Sequence, residues 1–156
     1  MAVTLRPICR EDEPFLLEVY AGARRDELAR VPWDETQKRA FLTFQFTAQH
    51  QHYQDHFAEA EYCVVLDGGL PVGRLYVDRR VDEIRILDVA VLPEYQGQGI
   101  GRTLIQTLLR EAEAAGKPVR LYVENFQQRS QAVFRQLGFE PKEDHGLSLL
   151  MEWQPG

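Results

Sequence analysis

Gln96-Gly97-Gln98-Gly99-Ile100-Gly101 carries glycine on alternate positions, and Arg102-Thr103 follow it. The segment lies where an apolar run, "LDVAVL", gives way to a pattern of helical period that starts beside Gly99. Glycine costs conformational entropy, so such a concentration serves a backbone purpose. Where a strand turns into a helix, bare backbone presents free N–H groups to an anion, and the helix N-terminus adds partial positive charge. This is the chemistry of a pyrophosphate site. Two nucleotide-binding loops fail on spacing. The P-loop pattern GxxxxGK[ST] is absent, although Arg102-Thr103 follow Gly101. The dinucleotide fingerprint GxGxxG is one residue longer than the GxGxG found here, and the segment comes after a hairpin pattern rather than inside an opening βαβ unit.

Other reactive residues give weaker patterns. Cys9 and Cys63 lie far apart in strand-like segments, with no CxxC and no neighbouring His, and read as buried thiols. Of the histidines, His52 and His56 alone have ligand spacing, with Glu59 as the nearest third donor, so no metal site is expected. The net charge of −6 gives no basic excess to neutralise phosphates, which argues against nucleic-acid binding and mildly favours cationic partners such as amines. No apolar stretch is long enough to cross a bilayer, and "MAVTLRPICR" has no apolar leader core, so a cytoplasmic placement off the membrane is expected.

The elements that position the glycine segment follow from periodicity. Residues 3–8 alternate as a strand, and Glu11 to Leu28 read as one amphipathic helix with Phe15, Leu16, Val19 and Tyr20 at helical spacing. "RVPWDE" interrupts, with Asp34 as a cap for a second helix over 35–57. That helix carries Phe41, Phe44, Phe46, Tyr53 and Phe57, read as a core stripe or as the aromatic wall of a pocket. A hairpin turning at Asp67-Gly68-Gly69 and a third strand ending in "VAVL" lead into the glycines. A helix from Gly99 to Ala115, a strand at 119–123, a short helix from Arg129 to Leu137 and a final strand pair complete the chain. The order is β-α-α-β-β-β-α-β-α-β-β, a mixed α/β fold read as a single domain over 1–156.

The glycine segment matches a third pattern, Q/R-x-x-G-x-G/A, at the expected distance after a "VAVLPEY" strand end. From "LDVAVLPEYQGQGIGRTLI" through "VRLYVENF" to "LGF", the chain resembles the GNAT superfamily of N-acetyltransferases, and the element order of the whole chain resembles it too. The resemblance implies that backbone N–H groups from Gln98, Gly99, Ile100, Gly101 and Arg102 bind the pyrophosphate of acetyl-CoA, with Gln96 and Gly97 shaping the entry. It implies that Val89, Ala90 and Val91 run along the pantetheine arm, that their strand end splays from the next strand, and that Val91 backbone polarises the thioester carbonyl. The implied reaction is direct acetyl transfer to a primary amine of a small molecule or peptide.

Three positions depart from the family. Many members carry a Glu six residues before the terminal valine, where this chain has Arg85. Glu83, two residues earlier on the same strand face, is the candidate base, unless it is a solvated carboxylate paired with Arg85, Arg79 or Arg80. Where members often carry an acid-donating Tyr, this chain has Phe134, and where they carry an Asn after the next strand it has Gln127; both are expected near the cofactor. Trp33, Gln49, His52, Tyr53 and Tyr76 are candidates for the acceptor wall, shaped by the first two helices and "LARVPWDE". The alternative reading is a module of this fold that binds coenzyme A with little turnover. Family members are often dimers, and a homodimer is left open here.

Overall fold

The structure, a computed structural model, describes Ala2–Gly156. Strand order in its seven-stranded mixed sheet is β1 (Val3–Pro7), β2 (Glu61–Asp67), β3 (Leu70–Arg79), β4 (Ile84–Val91), β5 (Val119–Glu124), β7 (Ser148–Trp153), β6 (Glu140–Asp144). β1 on β2, β5 on β7 and β6 on β7 are antiparallel, whereas β4 on β5 is parallel. A parallel neighbour demands a crossover, and α4 (Ile100–Ala115) supplies it. The remaining helices are α1 (Glu13–Ala23), α2 (Arg25–Ala29), α3 (Glu35–His56) and α5 (Gln128–Gln136). The expected mixed α/β fold is therefore the fold observed.

The chain forms two compact units, each built from two stretches of sequence. The unit comprising residues 1–75 and 89–100 holds β1, α1 to α3, β2 and the end of β4. Its helical core is Leu16, Tyr20, Leu28, Leu42 and Phe46, with Phe15 and Phe41 packed against it, and Tyr20 meets Phe46 edge-on at 6.0 Å. Asp34 caps α3 as its sequence position requires: its Oδ1 accepts from Gln37 N at 2.8 Å, and Gln37 Oε1 accepts from Asp34 N at 3.0 Å. In the same unit Asp12 takes two hydrogen bonds from the Arg6 guanidinium, at 2.8 and 2.9 Å, and one from Cys9 N at 2.8 Å. Those bonds hold the Asp12 carboxyl well below the usual carboxylate range, with Arg6 the main cause.

Three expectations need correcting. The helix read over Glu11–Leu28 is divided at Arg24, whose ψ of 3° ends α1 before α2 begins. Phe44 is not part of a core stripe but 74 % exposed; Leu42 takes the inward place. Cys9 is exposed rather than buried, and hydrogen bonds to the Glu11 and Asp12 carboxylates push its thiol up, away from a reactive thiolate.

The unit comprising residues 76–88 and 101–156 alternates in the manner of a half-covered sheet. Ile84 and Ile86 on β4, and Val119, Leu121 and Val123 on β5, are buried. α4 buries Leu104, Ile105, Leu108 and Ala112, one stripe at helical spacing. Arg85 on β4 and Arg120 and Tyr122 on β5 lie between them, and Glu83 stands just before β4.

Candidate functional site

The end of β4 is fixed before the glycines begin. One peptide unit is held at both of its polar groups: the Val91 carbonyl accepts from Gln96 Nε2 at 3.0 Å, and Leu92 N–H donates to the Val72 carbonyl at 2.8 Å. Two glycines allow the surrounding chain to come this close. A Cβ on Gly73 would lie 2.3 Å from the Ala90 carbonyl oxygen, and a Cβ on Gly22 of α1 would lie 2.6 Å from Pro93 Cδ. Ala90, Val91 and Pro93 are therefore backed by β3 and α1 with no slack.

Beyond them Pro93–Tyr95 makes a 3-10 turn, and Gly97 and Gly99 adopt left-handed φ of 80° and 83°. A side chain at such φ costs ~1–2 kcal/mol, so glycine is required by conformation at these positions. Gly101 differs. It lies in the first turn of α4 without a positive φ, and a Cβ there would meet nothing within 4 Å. Packing does not demand glycine at 101, and alanine would favour the helix by ~1 kcal/mol. What Gly101 does provide is an open approach to the backbone. The N–H groups of Gly97, Gln98 and Gly99 donate to no backbone carbonyl among the described residues, and the first turn of an α-helix leaves its own N–H groups unmatched. A row of bare donors with a glycine at every second position fits a pyrophosphate.

In the second unit Arg102 Nη2 donates to Gln136 Oε1 at 2.7 Å, tying the first turn of α4 to the last of α5. Gln127 stands before α5, its N–H on the Glu124 carbonyl at 3.0 Å. Phe134 is buried and meets Phe139 edge-on at 5.5 Å. The parallel ladder of β4 on β5 pairs Ile84, Arg85 and Ile86 with Val119, Arg120 and Leu121. Val89, Ala90 and Val91 lie beyond those pairs.

Glu83 is neither solvated nor paired only within its hairpin. Its side chain is 6 % exposed, with Oε2 2.5 Å from Arg120 Nη1 on β5, and Oε1 2.9 Å from Arg85 Nη2 and 3.8 Å from Arg80 Nη1. Arg120 also grips Glu152 at 2.7 Å, and Arg80 grips Asp78 at 2.8 Å. The paired carboxylates raise Arg120, and Gln154 and Arg120 lower Glu152. Oε2 accepts from Arg120, whereas Oε1, beside the Arg85 and Arg80 guanidinium groups, is buried and accepts no hydrogen bond among the described residues, so the carboxylate is held by charge and shut off from solvent water. The geometry describes a positioning carboxylate: it seats Arg85, whose guanidinium lies 5.3 Å from the centre of the half-exposed Tyr122 ring.

Of the expected acceptor residues, Gln49, His52 and Tyr53 share α3, with the His52 and Tyr53 rings 6.2 Å apart. Trp33 lies edge-on to Phe41 at 5.2 Å, and Gln49 accepts from the buried Arg74 at 3.0 Å. His52 stacks on His56 at 4.4 Å, and Tyr53 lies near Phe57 and Tyr62. Tyr76 is buried in the second unit. Among the described residues no group of three or more His, Cys, Asp or Glu could hold a metal ion, and no helix is long and apolar enough to cross a membrane. Residues that sequence reasoning passed over line a groove of about 720 Å³ in the first unit: Glu18, Arg25, Glu35 and Lys38 from the helices, and Leu92 to Glu94 from the segment after β4. Their region was marked by "LARVPWDE", but exposed charges on helices carry no periodic signal of their own.

Similarity to known proteins agrees with this geometry. The chain is 39 % identical over 75 residues to mycothiol acetyltransferase of Nocardiopsis dassonvillei, covering 47 % of this chain and 19 % of the relative. It is 34 % identical over 91 residues to mycothiol acetyltransferase of Corynebacterium efficiens, covering 57 % and 31 %. The chain thus spans less than a third of the length of these curated relatives. Among solved structures, the PaiA N-acetyltransferase from Thermoplasma acidophilum in complex with coenzyme A superposes with a TM-score of 0.74 at 17 % identity, over 99 % of both chains, which is a likeness of fold. Residues 25–139 match the family model described as "Acetyltransferase (GNAT) family", and the chain belongs to that family.

Proposed function

We propose that this protein is an acetyl-CoA-dependent N-acetyltransferase that moves the acetyl group directly to a primary amine of a small molecule or peptide. The observation that carries this reading is the run of bare N–H donors from Gly97 into α4, which begins six residues after a strand end pinned at both sides of one peptide unit. When bound, acetyl-CoA supplies an acetyl group activated as a thioester. The N–H groups of Gln98 to Arg102 hold its pyrophosphate at the positive end of α4. Val89, Ala90 and Val91 line its arm. Gln96 occupies the Val91 carbonyl and Val72 engages Leu92 N–H, which fixes the strand end whose Val91 N–H polarises the carbonyl oxygen.

The amine nitrogen forms the new C–N bond as the C–S bond breaks and its electron pair leaves on sulfur. An alkylammonium has a pKa of about 10, so it loses a proton before attack. With Glu83 held by arginines, that proton passes to water rather than to a dedicated carboxylate. Phe134 has no proton for the departing sulfur. Tyr122 has one, and a thiol pKa of roughly 8.5 makes the sulfur a fair leaving group without it. Positioning and carbonyl polarisation therefore supply most of the catalysis.

The test is thiol release from acetyl-CoA over a panel of primary amines. Amine-dependent release with the N-acetyl product seen by mass spectrometry supports the proposal. Tight acetyl-CoA binding with no turnover on any amine would instead favour a coenzyme-binding module, the reading that Phe134 and the engaged Glu83 keep open.

A further inference from the structure

The groove beside the strand end has a charge pattern that the glycine loop does not explain. Its volume, about 720 Å³, is far more than a simple alkylamine fills and falls within the range of small-molecule sites. Leu28, Leu42, Leu92 and Pro93 give it apolar lining. Its charges are Glu18, Arg25, Glu35, Lys38 and Glu94. Glu18 is occupied, accepting from Arg39 Nη1 at 3.1 Å. Arg25, Lys38, Glu35 and Glu94 make no side-chain hydrogen bond or ion pair among the described residues, although Glu35 and Lys38 stand three apart on one helix. Two cations and two carboxylates thus line one groove, none satisfied by another. A polyamine would call for acidic walls and a simple anion for basic ones. Unpaired charges of both signs in equal number match a ligand that itself carries both.

The walls also give the ligand a direction. Glu94 belongs to the segment that follows Val91, the strand end that polarises the acetyl carbonyl. Arg25 on α2 and Lys38 on α3 belong to the helical wall. We infer that the acceptor is a zwitterion, an amine that also carries a carboxylate, with its ammonium received by Glu94 and its carboxylate held by Arg25 and Lys38. The apolar residues between them take the body of the molecule. This rests on the reading of the β4 end as the place of acetyl transfer; Arg25 and Lys38 are specificity-determining residues for that reaction.

The experiment uses the full chain saturated with coenzyme A, titrated by calorimetry with L-alanine, L-leucine, L-methionine, L-phenylalanine, glycyl-L-leucine and the carboxamide of each. The same pairs are then run in the thiol-release assay. Binding of the best carboxylate form at least tenfold tighter than its carboxamide is expected. In the Arg25→Gln/Lys38→Gln double variant that ratio falls to near one, with the thermal midpoint as the folding control. Equal binding of acids and carboxamides, a ratio that survives in the double variant, or no binding by any of the panel overturns the inference. A carboxylate preference in binding without turnover overturns acetyl transfer while the groove's specificity stands. Turnover without that preference overturns the groove reading alone.

Discussion

Glu83→Gln separates a base from a positioning carboxylate. The substitution keeps the shape of the side chain and removes its charge. Arg120 retains Glu152 and Arg80 retains Asp78, but Arg85 loses the single ion-pair partner it has among the described residues. Removing one partner of a buried pair costs about 3–5 kcal/mol when the other is left sealed. Here the Arg85 side chain is 18 % exposed and glutamine still offers an acceptor oxygen, so the cost is set below that range, at about 2–3 kcal/mol. For a chain of this length each kcal/mol moves the thermal midpoint by about 2–4 °C, giving a fall of about 4–12 °C. Turnover at 20 °C below that midpoint is then measured across pH. The rise of rate with pH reports deprotonation of the amine, and it keeps its midpoint in Glu83→Gln. A variant as stable as the wild type, with the pH limb shifted upward and rate restored at high pH, would show that Glu83 takes the proton and that its arginine partners do not prevent it.

Three further outcomes follow from local geometry. Gly97→Ala forces a side chain onto a φ of 80° at a cost of ~1–2 kcal/mol, which calorimetry reads as a loss of about 5–30-fold in acetyl-CoA affinity. Gly73→Ala drives its Cβ to 2.3 Å from the Ala90 carbonyl, an overpacking of about 1–3 kcal/mol that lowers the thermal midpoint by about 2–12 °C and weakens acetyl-CoA binding through the displaced strand end. Asp12→Asn removes a carboxyl that the folded protein holds well below its usual range, whereas the unfolded chain titrates it near about 3.9. Its contribution is complete above that value and lost as pH falls, so urea unfolding shows the variant less stable at about pH 7 and level with the wild type in strong acid.

How far the sequence carried this reading depended on the range of the forces involved. The turn at Gly97 and Gly99, the cap at Asp34 and the stripe of α4 are set by residues within a few positions of each other, and all were readable from spacing. The break at Arg24 was not. The same helix passes Pro93 at Gly22 with no room for a methyl group, a constraint from some seventy residues away that no window on the helix contains. Glu83, expected on the strand, stands just before β4, and Arg85 was named among its partners. Arg120, its nearest partner, comes from β5, and only the parallel register of β4 on β5 brings it there. The groove charges are exposed residues on three separate segments, and no periodicity links Arg25, Lys38 and Glu94. The glycine turn was legible because glycine has so few reasons to recur, whereas the groove is a product of tertiary packing.

The measurement closest to the central claim is calorimetric titration of acetyl-CoA into the wild type and into Gly99→Val. The account predicts one saturable site in the wild type, competed by coenzyme A, and at least a tenfold loss in the variant, because a branched side chain at a φ of 83° both strains the turn and covers the N–H donors. Equal affinity of the two proteins, or no binding by the wild type, would contradict it.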